Sequence, residues 1–121
     1  MTDGFDETTN VLKAMAHPSR LHILIALSSE DEACVGHLEH LLGIQQAPLS
    51  QHLAKLRDAG LVLDRREGTN IYYSLIDRCL GQLLEITQST VQLLVFTRGE
   101  TVTYELPRGD QSTDCPCPRC A

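Results

Sequence analysis

No apolar run in this sequence reaches the roughly 18 residues that a membrane-spanning helix requires, so a bilayer span is not expected. The opening stretch, MTDGFDETTN, is acidic and polar. It lacks the basic n-region and apolar h-region of a secretory leader, and the expected location is the cytoplasm. A surplus of basic charge is missing as well: 10 Lys and Arg against 16 Asp and Glu leave a net charge of −6. That balance excludes a nonspecific coat for nucleic acid held by charge alone. Neither a nucleophile–base pair nor paired acids stand at a useful spacing, so an enzyme is not expected. There is no internal repeat, and 121 residues leave room for one domain with little surplus core.

Against these absences, five cysteines stand out. In a reducing cytoplasm they are expected as ligands or redox sensors rather than as disulfides. The charge is also unevenly spread. Residues 1–32 carry −4, residues 33–44 carry −1 and residues 76–121 carry −2, whereas residues 45–75 carry +1. Modest, localised positive charge suits a site-specific DNA binder with few, positioned phosphate contacts.

That positive segment has the clearest pattern. Leu49, Leu53 and Leu56 recur at spacings of four and three, the buried face of a helix beginning near Gln46. Pro48 is tolerated there because it falls in the first turn, where its missing N–H has no intrahelical partner. Gln46, Ser50, Gln51 and Lys55 fall on the exposed faces, with side chains suited to reading base edges or holding phosphates. Gly60 stops the helix. The β-prone runs Leu61-Val62-Leu63 and Ile71-Tyr72-Tyr73 follow, joined by a charged turn over residues 64–70 that carries Arg65 and Arg66. A recognition helix followed by a basic hairpin is a winged helix-turn-helix, which binds duplex DNA. Gln46, Ser50 and Gln51 are the expected base-edge contacts. Lys55, Arg65, Arg66 and Thr69 are the expected phosphate contacts, the wing arginines alternatively entering a minor groove, and His52 is a further phosphate candidate.

Around this head the pattern is helical. Residues 6–15 form a first helix behind a frayed start. His17-Pro18 marks the start of a second, with His17 as its cap, running over residues 20–27. Residues 34–42 form a third, closed by Gly43. Residues 77–96 form the longest, with Leu80, Leu83, Leu84, Thr87, Val91, Leu94 and Val95 at spacings of three and four. One small domain has too few elements to cover so long a stripe, so part of it is expected to meet a second copy. Val102, Tyr104 and Leu106 alternate with polar residues as one short strand would, and residues 107–114 read as a linker. The expected fold is therefore mainly α with a small β-hairpin wing (α+β), a winged helix-turn-helix dimerising through terminal helices. Residues 1–96 form the DNA-binding and dimerisation domain, and residues 97–121 a C-terminal extension with a Cys-rich tail.

In combination these motifs resemble the ArsR/SmtB family of small dimeric winged-helix repressors. The likeness rests on LKAMAHPSRL at residues 12–21, ACVGHL at 33–38, LSQHLAKLRDAGLV at 49–62, RREG at 65–68 and YYSL at 72–75, and spans roughly residues 8–96. It implies an operator-binding homodimeric repressor released by a metal ion, a metalloid or a thiol-reactive species. The family's sensor positions are altered here. Where arsenic and cadmium sensors carry Cys-Val-Cys-Asp-Leu-Cys, this chain reads Cys34-Val35-Gly36-His37-Leu38-Glu39. Asp77 and Cys79 resemble the first ligand pair of the zinc, cobalt and nickel sensors, but the second falls near Thr90 and Leu93, which do not ligate. Ile25 and Gln92 stand near the two thiols of the sulfide and persulfide sensors.

The tail is the strongest chemical signal outside the head. Cys115, Cys117 and Cys120 repeat the Cys-x-Cys-x-x-Cys spacing. Three thiolates suit arsenic(III) or antimony(III), whereas zinc or cadmium wants a fourth ligand, such as Cys34 or a histidine. Pro116 and Pro118 restrict the loop. A tail with incidental cysteines is the bland alternative, weakened by three cysteines within the last seven residues. Cys34 and Cys79 are candidate redox thiols, or simply packed. His37 shares a face with Cys34 and offers a nitrogen ligand, though solvent-facing histidines at 37 and 40 are the commoner case. His17 and His22 read as structural. Rival readings are a zinc or cadmium sensor, a thiol-redox sensor, and a thiol metal carrier without an operator.

Overall fold

The computed structural model describes residues 1–106, so the linker and the tail cysteines lie outside the described residues. Five helices and three short strands follow in the order α1 (Gly4–Met15), α2 (Pro18–Ser28), β1 (Ala33–Cys34), α3 (Val35–Leu42), α4 (Gln46–Asp58), β2 (Val62–Glu67), β3 (Asn70–Leu75) and α5 (Arg78–Thr97). This is the mainly helical, hairpin-bearing architecture that the residue pattern predicts.

Four of the five helices begin on a side-chain cap that satisfies an otherwise orphaned N–H. Asp3 Oδ1 accepts from the Phe5 N–H at 2.8 Å, so residues 4 and 5 are helical rather than frayed. His17 Nδ1 accepts from Ser19 N–H at 3.1 Å, with Pro18 at the first helical position as expected. The Cys34 sulfur accepts from His37 N–H at 3.3 Å, and Asp77 Oδ1 from Cys79 N–H at 2.9 Å. At the start of α4, Gln45 makes no such bond.

The core is aliphatic. Ile23, Leu24 and Leu27 of α2, Leu38 and Leu42 of α3, Leu49, Leu53 and Leu56 of α4, and Val62 of β2 are all under 2% exposed. Leu21 and Ile25 pack at its margin. Every leucine on the inner face of α4 is thus consumed in fixing that helix against α2 and α3.

The strands form one antiparallel sheet in the order β1-β3-β2. Three details depart from the sequence expectation. Ala33 and Cys34 are not helical but pair with Tyr73 and Tyr72 as β1; two residues are too short a run to show a period. β2 and β3 each run six residues, closed by a two-residue turn at Gly68-Thr69 instead of a seven-residue one. Gly68, at φ 63, takes the positive-φ place that such a tight turn demands. The charged residues 64–67 continue the ladder because its hydrogen bonds are backbone bonds and both faces here meet solvent. Residues 101–106 form no strand: Leu106 packs on the core and the Tyr104 hydroxyl donates to the Gln88 carbonyl at 3.4 Å, so the segment docks through side chains.

Along α5 the apolar stripe divides. Leu80, Leu84 and Val95 are buried, while Ile86, Leu93, Leu94 and Phe96 are 58–74% exposed. Phe5 and Leu12 of α1 are exposed too. No described helix is long and apolar enough to cross a membrane.

Candidate DNA-binding face

Gly43 ends α3 in the left-handed conformation, φ 66, and turns the chain into α4 within three residues. With Leu49, Leu53 and Leu56 inward, α4 turns Gln46, Ser50, Gln51 and Lys55 to solvent. The helix is 13 residues long, about 20 Å, the scale of an element lying in a major groove. The wing stands beside it: Thr69 at the turn and Gln46 at the helix start line one hollow of about 270 Å³, with Cys34 and Glu39 also on its wall.

His52, expected as a phosphate contact, is half-buried. Its ring lies against that of His17, centroids 4.5 Å apart and tilted by 44°. Burial first, then the neighbouring His17, Arg20 and Lys55, push its imidazole below the ordinary value, so at neutral pH it offers no charge to a phosphate.

The two wing arginines part company. Arg66 is exposed and carries no ion pair among the described residues. Arg65 donates Nε and Nη2 to the two oxygens of Glu32, each at 2.9 Å, and Nη1 to Glu67 at 2.7 Å. Its guanidinium carbon also sits 4.8 Å from the centre of the Tyr72 ring. Its hydrogen bonds to Glu32 and then to Glu67 raise its already high pKa. Neither Glu32 nor Tyr72 was singled out by the sequence pattern. The only local signal is that Tyr72 stands opposite a charged run.

Cys34 is 4% exposed and occupied as the cap of α3. Cys79 is exposed, and its thiol is pushed up, chiefly by the hydrogen bond with Asp77, which disfavours the reactive thiolate. His37 Nε2 is 2.8 Å from Glu30, and it is the backbone N–H of His37 that meets the Cys34 sulfur. Among the described residues no group of three or more His, Cys, Asp or Glu is gathered to hold a metal ion. Three thiolates would have to come from Cys115, Cys117 and Cys120, outside the described residues.

The helix-turn-helix of α3 and α4 with the β2–β3 wing defines a winged helix-turn-helix protein. Residues 17–63 match the family model for bacterial regulatory proteins of the arsR family. The nodulation protein NolR of Rhizobium meliloti is 48% identical over 79 residues, 62% of this chain and 64% of that protein. The arsenic resistance transcriptional regulator ArsR1 of Pseudomonas putida is 42% identical over 65 residues, 54% of this chain and 51% of that protein. These alignments span less than two thirds of either relative's length. The solved homodimeric winged helix-turn-helix DNA-binding domain Mb0332 of Mycobacterium bovis superposes with a TM-score of 0.66 at 30% identity, over 75% of this chain and 87% of that one. The chain belongs to the arsR family.

Proposed function

We propose that the protein is a homodimeric, site-specific DNA-binding repressor that leaves its operator when cysteine thiolates take up a thiophilic ion. The observation that carries the DNA reading is the outer face of α4. Gln46, Ser50, Gln51 and Lys55 are all exposed on a helix whose inner face is locked by three leucines. Arg66 and Thr69 of the adjacent wing extend that face toward the flanking phosphates. Residues 45–75, which hold this face, are also the one segment of the four whose net charge is positive. Two copies joined through the exposed apolar faces of α1 and α5 would present two such helices to a two-fold operator, as the homodimeric Mb0332 supports.

For the inducer, the thiols of Cys115, Cys117 and Cys120 are the donor set; Cys34, the fourth candidate, would first have to give up its place as the buried cap of α3. Their number and softness favour arsenic(III) or antimony(III), and zinc or cadmium next. The kinship with an arsenic resistance regulator supports the first of these. Switching by oxidation of Cys34 and Cys79 is less well supported, since one thiol is buried as a helix cap and the other is held protonated.

The test is binding of the full chain to a duplex selected from a random library, followed by anisotropy. Arsenite, zinc, cadmium and a persulfide donor are titrated in, with a Cys115/Cys117/Cys120→Ser protein alongside. Release of the wild type but not of the variant by one ligand names the sensor and its ligand. Equal release of both proteins removes the tail from the mechanism.

A further inference from the structure

Adjacent residues of a strand point to opposite faces, and this decides what the two wing arginines do. Arg66 stands opposite Ile71, whereas Arg65 stands opposite Tyr72, which in turn pairs with Cys34 of β1. Cys34, Tyr72 and Arg65 therefore form one row across all three strands. Arg65 reaches back along that row, over the Tyr72 ring, to Glu32 beside β1. Beyond this row β1 provides no strand partner: Arg66, Glu67, the turn and Asn70 are paired only within the hairpin, while Ile71 packs at the margin of the core. The clasp closes at the base of the free part of the wing.

We infer that Arg65 is a positioning residue of the DNA-binding head, fixing the pitch of the wing through Glu32, Glu67 and Tyr72 so that Arg66 and Thr69 meet the DNA backbone, and that Arg65 itself does not touch DNA. The inference rests on the DNA-binding reading above. Arg65 has its Nε, Nη1 and Nη2 in use, and the cluster of one guanidinium and two carboxylates carries net negative charge, which repels a phosphate. Isolated surface ion pairs do little, but a bidentate arginine–carboxylate fork joined to a second carboxylate is the arrangement that orders a structure. Glu32 is the better shielded partner, its side chain 20% exposed against 48% for Arg65.

The experiment measures affinity for the selected duplex across a salt series for the wild type, Arg65→Gln, Glu32→Gln, Arg66→Gln, and the exchanged pair Glu32→Arg with Arg65→Glu. Wing amide exchange at residues 66–71 is followed without DNA. Glu32→Gln removes a negative charge, so simple electrostatics predicts tighter binding; the clasp predicts binding weaker by about threefold to tenfold. Arg65→Gln should weaken binding to the same degree with the salt slope unchanged, whereas Arg66→Gln should flatten that slope by about 0.9. Both clasp variants should speed wing exchange equally, and the exchanged pair should recover most of the affinity and the protection. Tighter binding by Glu32→Gln, a flattened slope for Arg65→Gln, or unchanged wing exchange would each overturn the inference. A wild type that selects no duplex would sink the DNA-binding reading and this role with it.

Discussion

The imidazoles of His17 and His52 lie 4.5 Å apart, centre to centre, joining the cap of α2 to the middle of the recognition helix. The ionisable groups that act on His52 all lower its pKa: His17 at the cap of α2, Arg20 of α2, and Lys55 from its own helix. Its buried Nδ1 has no hydrogen-bond partner among the described residues. A proton added here is opposed from every side.

The pH dependence follows from that opposition. The folded-state pKa of His52 lies below its unfolded value of 6.5, so below about pH 6.5 the unfolded chain binds more protons at this residue. Its contribution is fully present above that pH and is lost as pH falls toward the folded pKa. Urea midpoints of wild type and His52→Gln, compared between pH 5 and 7.5, should converge as pH falls. Parallel curves would remove His52 from the titration.

Leu53 and Gln51 lie two positions apart on α4 and should separate folding from recognition. Leu53 is fully buried, and Leu53→Ala should lower unfolding free energy by about 2–5 kcal/mol. Gln51→Ala should leave the urea midpoint unmoved but cost about 1–3 kcal/mol of binding to the selected duplex. A stability loss from Gln51→Ala would mean that its side chain is holding the fold.

Ile86 and Leu93 are 65% and 62% exposed on α5. Substituting both with Asp should leave helical content intact yet shift the sedimentation coefficient from dimer to monomer, because charge is not tolerated in a desolvated apolar interface. Duplex affinity should fall by more than tenfold as two-site binding is lost. A dimer that survives both changes would place the interface elsewhere.

Asp77 raises the Cys79 thiol pKa by hydrogen bonding and by charge. Asp77→Asn removes the charge, so the thiolate fraction at pH 8 should rise, and alkylation of the Cys79 peptide, followed by mass spectrometry, should accelerate. An unchanged rate would assign the dullness of this thiol to the hydrogen bond that Asn retains and to desolvation, not to the charge of Asp77.

Much of the head was legible because its signals are local. The leucines at 49, 53 and 56, the cap at His17 and the stops at Gly43 and Gly60 each act within one or two helical turns. What escaped depends on distance along the chain. The two residues of β1 become a strand only because Tyr72 and Tyr73 come alongside them. Arg65 and Arg66 read as one basic pair, yet strand alternation sends them to opposite faces and Glu32, 33 residues upstream, claims the first. His52 read as outward-facing because helix periodicity gives a direction but not the neighbour, and that neighbour is a ring on α2. Alternation over residues 102–106 predicted a strand, but the apolar side chains dock individually instead.

The missing cap at Gln45 leaves the opening turn of α4 softer than the starts of its neighbours. Pro48 removes one amide from that turn, and the free amides at 46 and 47 point along the positive end of the helix dipole. Gln46 therefore stands at a helix start that no side chain caps, and an anion arriving there would take the place of the missing cap. Were that anion a DNA phosphate, binding would complete the one helix start that the side chains leave open, so that part of the free energy of docking would appear as added helix stability.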